Sequence, residues 1–293
     1  MSLKKIVVAT DFSEQAEVAT SHAFALAKKS GAELHVVHAL GISAVGAAMP
    51  YPVTVPEVYS VQVSEIRKAE RERLDSLCES FSGQGVTVIP VFVEAHPDEG
   101  IVHAATEIGA DLIVVGSHGR SGLSRFLLGS IAEAVAKRAE CDVLVARDVV
   151  PEGGYSRILV PTDFSEVSDK AIAAAAMLVN TKGEVELFHA WQMPGGAATY
   201  WGEVSDGLRE NIRRGAMEFG LKSIAGYAGS PGEFSFSEEE GDARHALQKR
   251  VDSGQYDLVV MGTHGRRGLG RMLLGSVTES TIRHTKKSVY LVR

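Results

Sequence analysis

Two short stretches of this sequence carry residue types able to grip an anion. They are Gly116-Ser-His-Gly119-Arg120-Ser-Gly122-Leu-Ser-Arg125-Phe-Leu-Leu-Gly129-Ser130 and Gly262-Thr-His-Gly265-Arg266-Arg-Gly268-Leu-Gly-Arg271-Met-Leu-Leu-Gly275-Ser276. Eleven of the fifteen positions are identical, and both fit Gly-x2-Gly-x9-Gly-Ser. Glycines let a backbone come close to a ligand, and the first N–H groups of a helix have no partner within it. A glycine loop that runs into a helix start can therefore cradle a phosphate, with the Ser130 or Ser276 hydroxyl as a further donor. The same glycines would also suit a plain tight turn between strand and helix. The pattern is not a P-loop, because no Lys-Ser/Thr pair follows the last glycine.

Other chemistry-bearing residues cluster around these loops. Arg120, Arg125, Arg266 and Arg271 can clamp phosphate oxygens bidentately, or form ordinary ion pairs. His118 and His264 sit between paired glycines but have no orienting carboxylate nearby in sequence, which favours a structural role. Asp11 and Asp163 follow apolar runs and precede Phe-Ser. Each could accept from ribose hydroxyls, hold Mg2+ through water, or favour the start of the next helix. No nucleophile elbow, carboxylate pair or activated cysteine is present, so no residue is assigned a catalytic role.

The elements that must position these residues follow from periodicity. In the first half, apolar strands are expected at 4–10, 33–40, 86–93, 111–115 and 142–147. Helices are expected at 14–29, 57–81, 97–109 and from 130 to 138. Ser13 should cap the first helix and Gly31 should end it. Ser130 should cap the last, with Glu133 completing a capping box. Strands that alternate with helices make a parallel sheet covered on both faces. Pro90 cannot donate to a ladder, so the third strand belongs on an edge. In such a sheet ligands bind beyond the carboxyl ends of the strands, where the strand order reverses. Asp11 and the glycine loop both fall there if the first and fourth strands flank the reversal.

The second half repeats the plan. Pro161-Thr-Asp163-Phe-Ser165 answers Ala9-Thr-Asp11-Phe-Ser13, and Phe188-His189-Ala190 answers Val37-His38-Ala39. The stretch Gly232 to Ser237 alternates like a half-exposed edge strand. Two domains are expected, 1–148 and 156–293, joined by a linker at 149–155. The segment after the second strand differs between halves. In the second it holds Tyr200 and Trp201, which could stack on a base, meet a partner or merely tether.

Composition excludes several classes. Of 293 residues, 45% are apolar and 23% charged, with 37 acidic against 30 basic side chains and a net charge of −7. Neither half has the basic face that sustained nucleic-acid binding needs. Two cysteines, Cys78 and Cys141, make neither a disulfide framework nor a zinc site. No apolar run is long enough to span a bilayer, and no signal peptide precedes the first strand, so a cytoplasmic location is expected.

Taken together, Thr10-Asp11-Phe12-Ser13, Pro161-Thr-Asp-Phe-Ser165 and the two glycine motifs resemble the universal stress protein family in its tandem form, over essentially the whole chain. The resemblance implies two Rossmann-like domains of the adenine-nucleotide alpha-hydrolase type, each a five-stranded parallel sheet in the order 3-2-1-4-5. It also implies the ATP-binding branch of the family, for stress response. Carried over by position, the first site uses Asp11, Ala39, Gly116, Gly119, Gly129, Ser130 and Ile131, with Arg120 beside them. The second uses Pro161, Asp163, Ala190, Gly262, Gly265, Gly275, Ser276 and Val277, with Arg266. Ala39 and Ala190 would meet adenine through their backbone. The family pairs domains through the last strand, here 143–145 and 289–292, and the resemblance extends to a homodimer. The expected function is a nucleotide-dependent regulator binding ATP, ADP or AMP, with Mg2+, and weak hydrolysis at most. The alternatives are a slow ATP hydrolase and a scaffold or chaperone indifferent to nucleotide.

Overall fold

The computed structural model describes residues 2–41, 56–119, 128–193, 202–264 and 274–293. The chain divides into two compact units, built mainly from residues 2–149 and 150–293. Among the described residues, no helix is long and apolar enough to cross a membrane.

The first unit runs β1 (Lys5–Ala9), α1 (Glu14–Ser30), β2 (Glu33–Ala39), α2 (Pro56–Glu79), β3 (Val88–Val93), α3 (Pro97–Ile108), β4 (Leu112–Gly116), α4 (Ser130–Arg138) and β5 (Asp142–Ala146). Its strands are all parallel, in the order β3-β2-β1-β4-β5. The expected order is the one found, and Pro90 lies on the outer strand, opposite Val36. Both neighbours of β1 are reached by crossovers in opposite directions, so the reversal of strand order falls between β1 and β4. Right-handed crossovers then place α1 and α2 on one face and α3 and α4 on the other. Phe24 of α1 stacks on Phe81 just beyond α2, at 5.0 Å between centroids. Between these layers Ile6, Val7 and Val8 of β1 and Leu112 to Val114 of β4 are almost wholly buried, the apolar runs that mark strands covered on both faces.

The second unit repeats this as β6 (Tyr155–Pro161), α5 (Glu166–Leu178), β7 (Val179–Trp191), α6 (Gly202–Ala225), β8 (Glu233–Glu240), α7 (Ala243–Asp252), β9 (Leu258–Gly262), α8 (Ser276–His284) and β10 (Ser288–Val292). The parallel order is β8-β7-β6-β9-β10. β7 begins earlier than the periodicity indicates, directly at the end of α5, and the β6–β7 register shifts between Tyr155 and Arg157. Tyr155, the last residue of the expected linker, is already in β6.

Each unit closes the far end of its sheet with one carboxylate. Asp111 Oδ2 accepts from the backbone N–H groups of Lys4 and Lys5 at 2.7 and 3.0 Å. Asp257 Oδ2 does the same for Ser156 and Arg157 at 2.8 and 2.9 Å. These bonds hold the first strand of each unit beside the fourth at the amino ends, away from the candidate site.

Candidate functional site

The turn after the first strand is built the same way in both units. Thr10 N–H makes a ladder bond to Val37 O, and Thr162 N–H one to Phe188 O, both at 2.9 Å. The chain then reverses through Phe12 and Phe164, each left-handed with φ 61°. That conformation costs a bulky residue about 1–3 kcal/mol and needs its surroundings to hold it. Phe12 N–H donates to Thr10 Oγ1 and Phe164 N–H to Thr162 Oγ1, both at 3.0 Å. The aspartates between them are fixed by the next residue: Ser13 N–H donates to Asp11 Oδ1, and Ser165 N–H to Asp163 Oδ1, both at 3.1 Å. Asp163 Oδ1 also accepts from Ser168 Oγ at 3.1 Å. The two serines cap their helices, Ser13 accepting from Ala16 and Ser165 forming a full capping box with Ser168. The ligand and helix-start readings of these aspartates are thus compatible: one carboxylate oxygen serves the turn, and in the first unit the other points at the glycine loop.

The motif glycines divide by physical cause. A Cβ on Gly116 would lie 2.7 Å from the backbone carbonyl of Gln15. On Gly262 it would lie 2.7 Å from Val167 Cγ1. These two glycines let the first helix of each unit pack down on its fourth strand. A Cβ on Gly119 would fall 2.6 Å from Asp11 Oδ2, so the loop backbone sits against that carboxylate. Gly275 is different: among the described residues a Cβ there meets nothing closer than 3.5 Å, and its φ of −61° is open to any residue. Packing does not account for that glycine.

The helix starts correct one expectation. Gly129, not Ser130, is the N-cap of α4; Ser130 is the first helical residue, and no side chain caps the helix. Glu133 does not reach back to form a box. It accepts from Lys137 Nζ at 2.6 Å, an i,i+4 pair one turn on. Gly275 likewise caps α8 without a side-chain bond. α1, α5 and α7 are closed by Ser13, Ser165 and Asp242, whereas α4 and α8 leave their first-turn amides to whatever lies in front of them.

In the first unit these pieces surround a cavity of about 230 Å3 at the reversal point between β1 and β4. Asp11, Ala39, Gly116, Gly119, Gly129, Ser130 and Ile131 all line it. Arg120 and Arg125 lie outside the described residues. Pro97 and Ile101 of α3 give the cavity an apolar wall, and Ala9 stands where the second unit has Pro161. His118 also lines it, with Nδ1 at 2.8 Å from Ser117 Oγ. In the second unit a cavity of about 410 Å3 is lined by Ala190, Gln192, Asp242, Arg244, Ser276 and Val277, among others. Asp163, Pro161, Gly262 and Gly275 are not on its wall. Gly265, Arg266, Arg271, Tyr200 and Trp201 lie outside the described residues. His264 Nδ1 is 3.0 Å from Thr263 Oγ1, the counterpart of the His118 contact.

The sequence reading passed over two histidines. His38 Nδ1 is 2.8 Å from Thr10 O, and His189 Nδ1 is 2.8 Å from Thr162 O. A carbonyl only accepts, so Nδ1 carries the proton in both. Their rings lie 4.7 and 4.6 Å from those of Phe12 and Phe164. The signal was present in the repeat, since both halves place a His-Ala pair at the carboxyl end of the second strand. Without metal spacing or a sequence neighbour, nothing tied them to the turn.

Among the described residues, no group of three or more His, Cys, Asp or Glu side chains could hold a metal ion.

Comparison with known proteins agrees with this architecture. The model of the universal stress protein family matches residues 2–147 and again 154–293. A universal stress protein of Mycobacterium tuberculosis is 30% identical over 300 aligned residues, covering 98% of this chain and 96% of its own. One from Methanocaldococcus jannaschii is 37% identical over 145 residues, 49% of this chain and 82% of its own. The crystal structure of a universal stress protein from Archaeoglobus fulgidus matches with a TM-score of 0.69 at 22% identity, over 100% of this chain and 97% of that one.

Proposed function

This chain belongs to the universal stress protein family, and from that premise we propose that it binds an adenine nucleotide in each unit and acts as a nucleotide-dependent regulator in stress response. One observation carries the reading: seven residues from four separate segments meet on one cavity at the reversal of strand order, before an uncapped helix. Among the described residues no side chain caps the first turn of α4; a phosphate tail would supply acceptors to its amides and answer the positive end of the helix dipole. The ribose hydroxyls would donate to Asp11, and the base would lie against the Ala39 backbone, with Pro97 and Ile101 as an apolar wall. In the second unit Asp163, Ala190, Gly275, Ser276 and Val277 would take these parts.

The cavity of about 230 Å3 is smaller than the roughly 300–1,000 Å3 of an ordinary ligand pocket. It holds a nucleoside portion more readily than a whole triphosphate. Mg2+ would enter with the phosphates, which commonly complete its shell beside one or two carboxylates. Asp11 and Asp163 are the residues offered for that part. Magnesium would neutralise phosphate charge; the protein would bind and orient the nucleotide.

The packing of Gly116 and Gly262 favours a second reading, in which the motif is structural and the chain is a scaffold. Equilibrium dialysis of the full chain with ATP and Mg2+ separates the two. Saturation near two nucleotides per chain is expected, and absence of binding in both units overturns the proposal. Substitution of Gly275 by Val should remove one of the two sites while circular dichroism stays unchanged.

A further inference from the structure

We propose that His38 and His189 are positioning residues, each fixing the turn that aims the site carboxylate, Asp11 in the first unit and Asp163 in the second. The inference rests on the nucleotide reading for the purpose of that carboxylate, but the turn itself can be tested without nucleotide.

The two units share one arrangement around the aspartate. The imidazole Nδ1–H donates to the threonine carbonyl just before the aspartate, at 2.8 Å in both. The ring then lies against the left-handed phenylalanine just after it, tilted by 38° and 40°. One side chain thus holds both flanks of the aspartate. A left-handed phenylalanine does not persist unless something over-determines it, and glycine or asparagine would adopt that conformation at lower cost.

What lies outside the histidine differs between the units. In the first unit Arg73 sits 4.4 Å over the Phe12 ring, and Glu70 Oε2 is 3.6 Å from His38 Nε2. In the second, Phe164 meets Phe219 at 5.6 Å and Phe236 at 6.1 Å. Phe92 of β3 also meets the His38 ring, at 5.8 Å, so a mixed flank of Arg73, Glu70 and Phe92 and a flank of Phe219 and Phe236 support the same inner geometry, within a tenth of an ångström. If the histidine served only to fill space beneath the second helix, the inner geometry would follow the flank. It follows the turn instead.

The consequence for the site is direct. With Thr10 O held from β2 and Phe12 turned back, Asp11 Oδ1 meets Ser13 N–H and Oδ2 faces Gly119. Releasing Thr10 O would let the turn relax toward ordinary φ and swing the carboxylate off the glycine loop.

Two substitutions separate donor from bulk. His38→Asn keeps an N–H donor where Nδ1 stands, whereas His38→Phe keeps a ring and removes the donor. In the full chain, His38→Phe should weaken ATP binding at one of the two sites by about three- to tenfold, the worth of one hydrogen bond. His38→Asn should restore most of it, and the other site should be unchanged. Amide hydrogen exchange of Phe12 and Ser13, measured without nucleotide, should quicken in His38→Phe and stay slow in His38→Asn. The pair at His189, a less buried position, repeats the test if His38→Phe does not fold. Equal loss in both variants, or no loss in either, overturns the positioning role. Wild-type protein that binds no ATP but shows the same exchange pattern would sink the nucleotide reading and leave the positioning of the turn standing.

Discussion

Gly119 lies so close to Asp11 that a side chain at 119 would begin 2.6 Å from the carboxylate oxygen Oδ2. No real Cβ occupies such a position, so either the loop or the carboxylate must move when one is added. Gly119→Ala should therefore lower ATP affinity in the first unit by about tenfold, comparable to losing one charge-assisted hydrogen bond. Gly275→Ala makes the contrast, because its Cβ meets only ordinary contacts. It should cost about 1 kcal/mol of stability or less. Parallel calorimetric titrations and urea unfolding of the two variants check both statements.

Two helix caps differ in completeness, and stability should report it. Ser165 both accepts from Ser168 N–H and is answered by the Ser168 side chain. Ser13 Oγ accepts from Ala16 N–H at 3.3 Å, as Ser165 Oγ does from Ser168 N–H, but it donates to Asp11 Oδ1, at 2.5 Å, and has no box partner. Replacing a capping serine by alanine typically costs about 0.5–2 kcal/mol. Ser165→Ala and Ser13→Ala are both expected within that range, whereas Ser168→Ala, which removes the bond to the Ser165 backbone N–H, should add a loss that has no counterpart at Ala16, each measured as the shift of the unfolding midpoint at unchanged slope.

Acid should weaken the first unit in two steps. His22 is fully buried, with Nε2–H donating to Asp148 O at 2.7 Å, and burial holds its pKa below 6.5. The unfolded chain thus takes up this proton first, and stability present above pH 6.5 declines as pH falls below it. Burial pushes the Asp98 carboxyl up, but His96 and Arg138 outweigh it and hold the pKa below 3.8. Its contribution is present above pH 3.8 and lost as pH falls further. Denaturant unfolding from pH 8 to pH 3 should show both declines. His22→Gln should flatten the first and leave the second.

Cys78 should be silent to thiol reagents in the folded protein. It is 6% exposed, and burial together with the nearby Asp75 raises its pKa to about 11. The thiolate is the reacting form. Alkylation at pH 8 is expected at Cys78 only on the timescale of unfolding, which peptide mass mapping against time in urea would reveal. Fast labelling of Cys78 in buffer would contradict its burial within α2.

The repeat, the alternation of strands and helices and the edge position of Pro90 were all legible in the residues. Each depends on local spacing or on a constraint carried by one residue type, such as a missing N–H or a missing Cβ. Ser130 shows where local reading stops. Ser-x-x-Glu names a capping box, yet Gly129 became the cap, because its carbonyl accepts from Glu133 N–H while its own N–H reaches Ser117 O. The reason for each glycine was equally out of reach. Gly116 answers to a helix carbonyl a hundred residues away and Gly119 to a carboxylate, whereas Gly275 answers to neither. His38 and His189 gained their place only when two parallel strands came into register and brought an imidazole under a turn twenty-eight and twenty-seven residues earlier. Local propensity is written along the chain, but which atom closes on which across a sheet depends on packing that no stretch of sequence contains by itself.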